Sequence, residues 1–199
     1  LLYYLFIRPG DFAVAGYYTE LKDLIAQVDD GCALTNAACP VAAVSYLTNA
    51  GNAKSWGIEA EFTKSFDIGA GTARLALSGS RQGGDVKSGR YAGLDLAQVP
   101  DWLASANLNL RYPVAKDITL TGNILFNAQW GGKQELTATS VDLDDYQLVS
   151  VRGGVELGKL RITAFANNLF DKVYFVAQAP TINRYSPPRV FGVELAYRW

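Results

Sequence analysis

Strict two-residue alternation, sustained over long segments with the same chemistry on each face, constrains this 199-residue chain more than any other feature. From Trp102, one face carries Trp102, Ala104, Ala106, Leu108, Leu110 and Tyr112, and the other carries Leu103, Ser105, Asn107, Asn109 and Arg111. The next segment repeats the pattern, with Ile118, Leu120, Gly122, Ile124, Phe126, Ala128 and Trp130 against Thr119, Thr121, Asn123, Leu125, Asn127 and Gln129. Neighbouring side chains on a strand point to opposite faces, so these segments are strands of a sheet with one apolar and one polar side. Trp56, Ile58, Ala60, Phe62 and Phe66 likewise oppose Gly57, Glu59, Glu61, Thr63 and Ser65. Leu160, Ile162, Ala164 and Ala166 oppose Arg161, Thr163 and Asn167, with Phe165 the one large apolar residue on the polar face. Around Phe12–Val28 the alternation is blurred, and no face is assigned there.

The runs extend about 10–14 residues, against about 5–6 in soluble sheets. Crossing a bilayer takes about 9–11 residues of tilted strand. Trp102, Tyr112 and Trp130 stand near the ends of the apolar face, where amphipathic rings favour a membrane–water interface. Connections alternate between short (Asp67–Gly71, Pro113–Asp117, Gly158-Lys159) and long (about 29–45, 84–98, 132–142 and 177–187). Transmembrane barrels have short turns at one rim and long loops at the other. The pattern predicts an all-β, antiparallel transmembrane barrel segment of about eight strands, at roughly 11–28, 46–66, 72–83, 99–112, 118–131, 143–157, 160–176 and 188–199. Leu1–Ile7 reads as the end of a preceding strand, turned at Arg8-Pro9-Gly10-Asp11.

Composition agrees with this reading. Hydrophobic residues make up 49%, but no run approaches the roughly 18 apolar residues of a spanning helix. Mean hydropathy is +0.04, the near-neutral value that alternation produces. A net charge of −1 without a basic block argues against a nucleic-acid partner. Absence of Met makes the chain read as a processed product or a piece of a longer protein. With no His, Ser-His-Asp and Cys-His catalysis are excluded, and neither a catalytic site nor a cofactor is expected.

Other polar groups have two readings each. Glu59 and Glu61 could form an acid–base pair or line a wet interior, and the interior of a large barrel is polar. Asp142, Asp144 and Asp145 could suggest calcium, but they lack the glycine and closing Glu of an EF-hand loop and read as a solvated loop. Gly83-Gly84 and Gly131-Gly132 fall at strand-to-loop junctions, where no helix follows to cradle a phosphate. Lys64, on the apolar face near a short turn, is expected to snorkel to the interface. Cys32 and Cys39 lack the further ligands of a metal site, so they read as a disulfide stapling a surface loop or as two unrelated thiols.

Several motifs occur in an order that resembles the C-terminal barrel region of TonB-dependent receptors. They are Asn49-Ala50-Gly51 leading into Gly57-Ile58-Glu59-Ala60-Glu61, Val99-Pro100 entering a strand, Asn168-Leu169-Phe170-Asp171-Lys172-Val173-Tyr174, and the closing strand Pro188–Trp199 ending on an aromatic. The resemblance covers nearly the whole chain from about Phe12. It implies residence in the bacterial outer membrane, with surrounding lipid as a partner, and the wall of a receptor that imports a scarce ligand such as a siderophore, cobalamin or an oligosaccharide. It also implies partners beyond these 199 residues: a plug domain, further barrel strands and the energy-transducing TonB complex. Phe191, Val193, Leu195, Tyr197 and Trp199 are then expected to face lipid and to act as the signal read by the barrel assembly machinery. Ligand contacts, if made here, are expected from long-loop residues such as Arg81, Arg90, Tyr91, Trp130, Arg184 and Tyr185. Two alternatives stay open: a self-contained eight-stranded barrel acting as an anchor or adhesion module, and a soluble lipocalin-like binder, which the polar inward faces disfavour.

For the cysteines, intact-mass analysis of unreduced, denatured protein after alkylation is expected to show neither thiol modified. Alkylation of both would exclude the Cys32–Cys39 bridge.

Overall fold

The computed structural model describes residues 2–7, 11–29, 45–138, 140–179 and 182–199. Cys32 and Cys39 lie outside the described residues. Among the described residues eleven strands run in chain order: β1 Leu2–Ile7, β2 Phe12–Asp29, β3 Ser45–Ile68, β4 Gly71–Val86, β5 Trp102–Ala115, β6 Ile118–Trp130, β7 Tyr146–Leu157, β8 Leu160–Asn167, β9 Phe175–Ala179, β10 Ile182–Tyr185 and β11 Val190–Tyr197. Nine of them form one antiparallel sheet in the order β1-β2-β3-β4-β5-β6-β7-β8-β11, and β9 and β10 form a separate hairpin. Apart from that inserted hairpin, each strand pairs with its sequence neighbour. The eight expected strands and the end of a preceding one are therefore all present.

Register confirms the two faces. Trp102 pairs with Trp130, Leu108 with Ile124 and Leu110 with Gly122, while Ser105 pairs with Asn127 and Asn109 with Asn123. On the polar side Asn123 Nδ2 donates to Asn107 Oδ1 (2.8 Å) and Asn109 Oδ1 (3.0 Å), so the carboxamides of β5 and β6 satisfy one another. Phe165 does lie on the polar face, opposite Gly192, and Arg152 sits over its ring at 5.4 Å. A Cβ on Gly192 would come within 2.9 Å of that ring, so the glycine leaves room for the aromatic to cover the strand. Tyr17 covers Gly57 in the same way.

The blurred first strand has a physical cause. In β2, Val14, Gly16 and Tyr18 pair into the face of Ile58 and Trp56, and Ala15 and Tyr17 into that of Glu59. The register then shifts between Leu21 and Leu24 and again at Ile25, with Asp23 at φ 52°. A bulge moves later side chains to the other face and breaks the period.

The short turns all lie at one rim. Gly69-Ala70, Lys116-Asp117 and Gly158-Lys159 close β3–β4, β5–β6 and β7–β8, and Arg198 N donates to Lys159 O (2.9 Å) beside the last of them. Lys64 reaches this rim from the apolar face and pairs with Asp11 of the β1–β2 turn. Also near this rim, on the polar face, Glu156 accepts from Arg161, its direct cross-strand partner, and from Arg111 (2.7 Å) two strands away.

Several boundaries differ from the sequence reading: β4 runs on to Val86 rather than 83 and β5 to Ala115 rather than 112, β11 is confined to Val190–Tyr197, and three further differences have a local cause. β5 starts at Trp102 rather than 99, because Gln98 takes φ 59° and turns the chain into a loop. β7 starts at Tyr146, since the aspartates before it hold the backbone in a loop. β8 ends at Asn167 instead of running to 176, and residues 168–189 fold back through the β9–β10 hairpin.

Candidate functional site

At the rim opposite the short turns, β2, β3 and β4 continue well past β5, and the loops at 87–101 and 131–145 fold against them. Val86, Ala50, Tyr91 and Leu136 are buried together, with Leu24, Ala26, Leu94, Leu96 and Ala97 packed around them. These residues come from β2, β3, β4 and the loops 87–101 and 131–145, so the cluster fixes separate loops to one another.

The Asn49-Ala50-Gly51-Asn52 stretch is the junction. Gly51 has φ 100°, a backbone that L side chains rarely adopt, and its N–H donates to Asn49 Oδ1 (2.8 Å). Asn52 N donates to Ser88 Oγ (2.9 Å), and Lys87 N to Asn52 O (2.6 Å), which seats loop 87–101 on β3. Loop strands then extend the wall. Asp85 bridges Asp95, Ala97 bridges Lys133, and Lys133 bridges Asp142. Gln98 Nε2 donates to Gln134 O (2.8 Å) and Gln134 Oε1 (2.9 Å) between two of these loops.

Of the three aspartates read from sequence as a solvated loop, Asp144 and Asp145 tie backbone, while Asp142 stays exposed. Asp144 Oδ2 accepts from Phe175 N (2.7 Å), Asp145 Oδ1 accepts from Gly131 N (2.9 Å), and Asp142 pairs with Lys133. That hydrogen bond to Asp142 raises the Lys133 ammonium above its ordinary pKa. Among the described residues no group of acidic or Cys side chains could hold a metal ion.

Asn168 does the same for the last loop. It is buried, at φ 51°, with Oδ1 accepting from Lys172 N (2.9 Å) and Nδ2 donating to Lys172 O (2.9 Å) and Pro187 O (3.3 Å). Asp171 Oδ1 accepts from Arg189 N (2.8 Å), so both ends of loop 168–189 are clamped. Above the clamp Tyr174 stacks on Tyr146 at 4.3 Å, and burial, then Tyr146 itself, pushes the Tyr174 phenol up.

The cavities among the described residues include three. One, of about 450 Å³, lies on the polar face and is lined by Glu59, Glu61, Ser78, Ser80, Leu103, Ser105, Asn127, Tyr146 and Leu148, with backbone from the strands between. A second, of about 520 Å³, sits between β2 and the loops and is lined by Leu21, Leu24, Ala26, Leu96, Ala97, Gln98, Val99, Gln134, Glu135, Leu136 and Gln178. Gln178 belongs to β9, so the last hairpin reaches over to the β2 side of the mouth. The third, of about 700 Å³, carries Trp56, Arg81, Asp85, Lys87, Asp95, Asp101, Lys133 and Asp142 among its lining residues.

The expected contact residues are not gathered in one place. Arg81 lies opposite Trp102 on the apolar face, 4.8 Å from its ring and 5.9 Å from that of Trp56. Trp130 shares that face, paired with Trp102. Tyr91 is buried in the loop cluster, with Arg90 beside its ring. Arg184 and Tyr185 are exposed on β10, where Tyr185 lies 4.8 Å from Phe175. Gln98, Gln134 and Gln178 escaped the sequence reading because an uncharged carboxamide in a loop has no periodicity to mark it.

A family model described as "TonB dependent receptor-like, beta-barrel" matches residues 3–169. The chain belongs to that family. Its place is the bacterial outer membrane, and the family's members are transporters, not enzymes. Among solved structures, the TonB-dependent receptor fold recurs in the ferric yersiniabactin uptake receptor FyuA of Yersinia pestis, at 18% identity and TM-score 0.77 over 98% of this chain and 29% of that one. It recurs in BauA, the ferric preacinetobactin receptor of Acinetobacter baumannii, at 20% identity and TM-score 0.66 over 98% and 28%. The outer membrane transporter YddB of Escherichia coli matches at 13% identity and TM-score 0.64 over 98% and 32%. The chain thus spans less than a third of the length of these solved chains. No curated protein matches it in sequence.

Removing the loop clamp is expected to loosen the mouth without unfolding the wall. Asn168→Ala loses three hydrogen bonds from a buried carboxamide and should cost about 1–3 kcal/mol. Limited proteolysis should then cut within residues 168–189 while the sheet stays intact; an unchanged cleavage pattern would contradict the clamp.

Proposed function

We propose that this chain is the C-terminal portion of a receptor barrel wall, and that the completed barrel binds a scarce ligand in its loop-covered mouth and imports it with energy relayed by the TonB complex. The carrying observation is that the loops at 87–101 and 131–145 fold together over the polar side of the wall and that cavities lie there. Loops built only to anchor or adhere have no need of cavities above a lumen. FyuA and BauA are described as receptors for ferric chelates, which favours a siderophore over cobalamin or an oligosaccharide. Among the described pairings β1 and β11 lie at opposite edges of the sheet, which weighs against a small barrel closed on itself and for further strands between those edges.

The apolar face supports lipid as its surroundings. Trp102 and Tyr112 bracket ten steps of β5, about 33 Å at roughly 3.3 Å per residue. Tilted by about 35–45°, that length spans about 23–27 Å, close to the roughly 25 Å apolar band of outer-membrane barrels. On the other face Glu59 and Glu61 form no ion pair among the described residues. Covering them with a plug domain requires cations from that domain, because an unpaired buried carboxylate is costly. β11 presents Phe191, Val193, Leu195 and Tyr197 on the apolar face, opposite Ala166, Ala164, Ile162 and Leu160. All four are exposed, as is Trp199, and this fits a strand that the assembly machinery can read before the wall closes.

In cells carrying the full-length receptor, uptake of a radiolabelled ferric chelate is expected to need both the receptor and TonB. The 199-residue chain reconstituted alone in liposomes should give none. Uptake that persists without TonB, or uptake by this chain alone, would overturn the transport reading.

Trp199→Ser in the full-length receptor should lower the amount recovered in outer-membrane fractions while synthesis is unchanged. Normal recovery would remove the assembly role.

A further inference from the structure

Charged and uncharged side chains of the loops are sorted between the two sides of the same wall. The bridged positions Asp85, Asp95, Lys133 and Asp142 all line one cavity, together with Trp56 and Arg81 of the apolar face. The cavity facing β2 is different. Its polar groups among the described residues are the carboxamides of Gln98, Gln134 and Gln178 and the carboxylate of Glu135, set among leucines such as Leu24 and Leu136, and no described Lys or Arg lines it. The cavity lower on the polar face, with Glu59 and Glu61, has no Lys or Arg lining either. Gln134 is 3% exposed, and its Nε2 has no hydrogen-bond acceptor among the described residues.

From this sorting, and resting on the transport reading above, we infer that the ligand meets this wall as an uncharged or cationic molecule rich in carbonyl and hydroxyl oxygens, and that anionic chelates are selected against. A carboxamide both donates and accepts, so three of them match amide, hydroxamate or sugar oxygens. The unfilled Gln134 donor calls for one more acceptor. An anion in this cavity would shed water among leucines with no cation to receive it, which is costly. The loop cations Lys87 and Lys133 are paired with Asp85 and Asp142 and line the other cavity.

The test uses the purified full-length receptor and four probes: an uncharged ferric trihydroxamate, a trianionic ferric tricatecholate, cobalamin and a neutral oligosaccharide. Binding is read by quenching of intrinsic fluorescence or by calorimetry. Binding of the trihydroxamate, or of cobalamin or the oligosaccharide, with tricatecholate binding at least about tenfold weaker, is the expected result. Gln178 is half-buried on β9, so Gln178→Lys should narrow that gap and Gln178→Glu widen it, while Gln178→Asn leaves it in place. Tricatecholate binding as tight as or tighter than the uncharged probes would overturn this inference and leave the transport reading standing. Identical behaviour of the Lys and Glu variants would also overturn it. Binding of none of the four probes would defeat the transport reading, and this inference with it.

Discussion

In the hydrocarbon core of a membrane, no water is available to a backbone N–H or C=O, and each orphan costs several kcal/mol. Everything else in this chain follows from meeting that demand with strands. Neighbouring strands must pair along their whole length, which gives the uninterrupted ladder from β1 to β8 and β11. Pairing in turn forces alternate side chains to opposite faces, so a single strand must be apolar on one side and polar on the other. Interruptions such as the β2 bulge and the Gly51 bend occur beyond the Tyr18–Trp56 pair, away from the short-turn rim. The same demand applies at the two open edges. A strand of about ten residues leaves several groups unpaired there, roughly 10 kcal/mol or more per edge, comparable with the whole stability of a typical domain at about 5–15 kcal/mol. A wall of this kind therefore has to close on itself or be completed by further strands.

The wall was legible in the sequence because its demand is periodic. Face assignments for β3, β5, β6, β8 and β11 agree with the observed register, including Phe165 on the polar side. Short turns were legible through their length, and two of the three also through a glycine, Gly69 and Gly158. What was not legible depends on contacts between residues far apart. The shift at Asp23 is stabilised by Asn49 and Asn52, more than 20 residues away, and shows in the sequence only as lost alternation. β8 stops at Asn168 because that side chain clamps Lys172 and Pro187. Read locally, the apolar and aromatic residues that follow look like more strand.

The candidate site shows the same division. Charged and aromatic loop residues are the natural suspects for ligand contact, yet Arg81 and Trp130 lie on the apolar face and Tyr91 is packed into the loop cluster. Asp144 and Asp145 hold backbone, and Asp142 pairs with Lys133. Loop folding is dictated by which side chains can share a core and which must leave it. Leu24, Leu136 and Val86 gather on the polar side of the wall, and the Asp85–Lys87 and Lys133–Asp142 pairs line the other cavity. The mouth inherits its chemistry from that sorting.

Sorting of faces is the central claim, and spin labels test it most directly. Single labels at positions 104 through 111 of the full-length receptor, with Cys32 and Cys39 changed to Ser, can be probed in bilayers for collisions with oxygen and with a water-soluble nickel complex. Even positions from Ala104 to Leu110 should favour oxygen, and odd positions from Ser105 to Arg111 should not, giving a two-residue oscillation. Accessibility that varies smoothly along the segment, or oscillates with the opposite phase, would contradict the account.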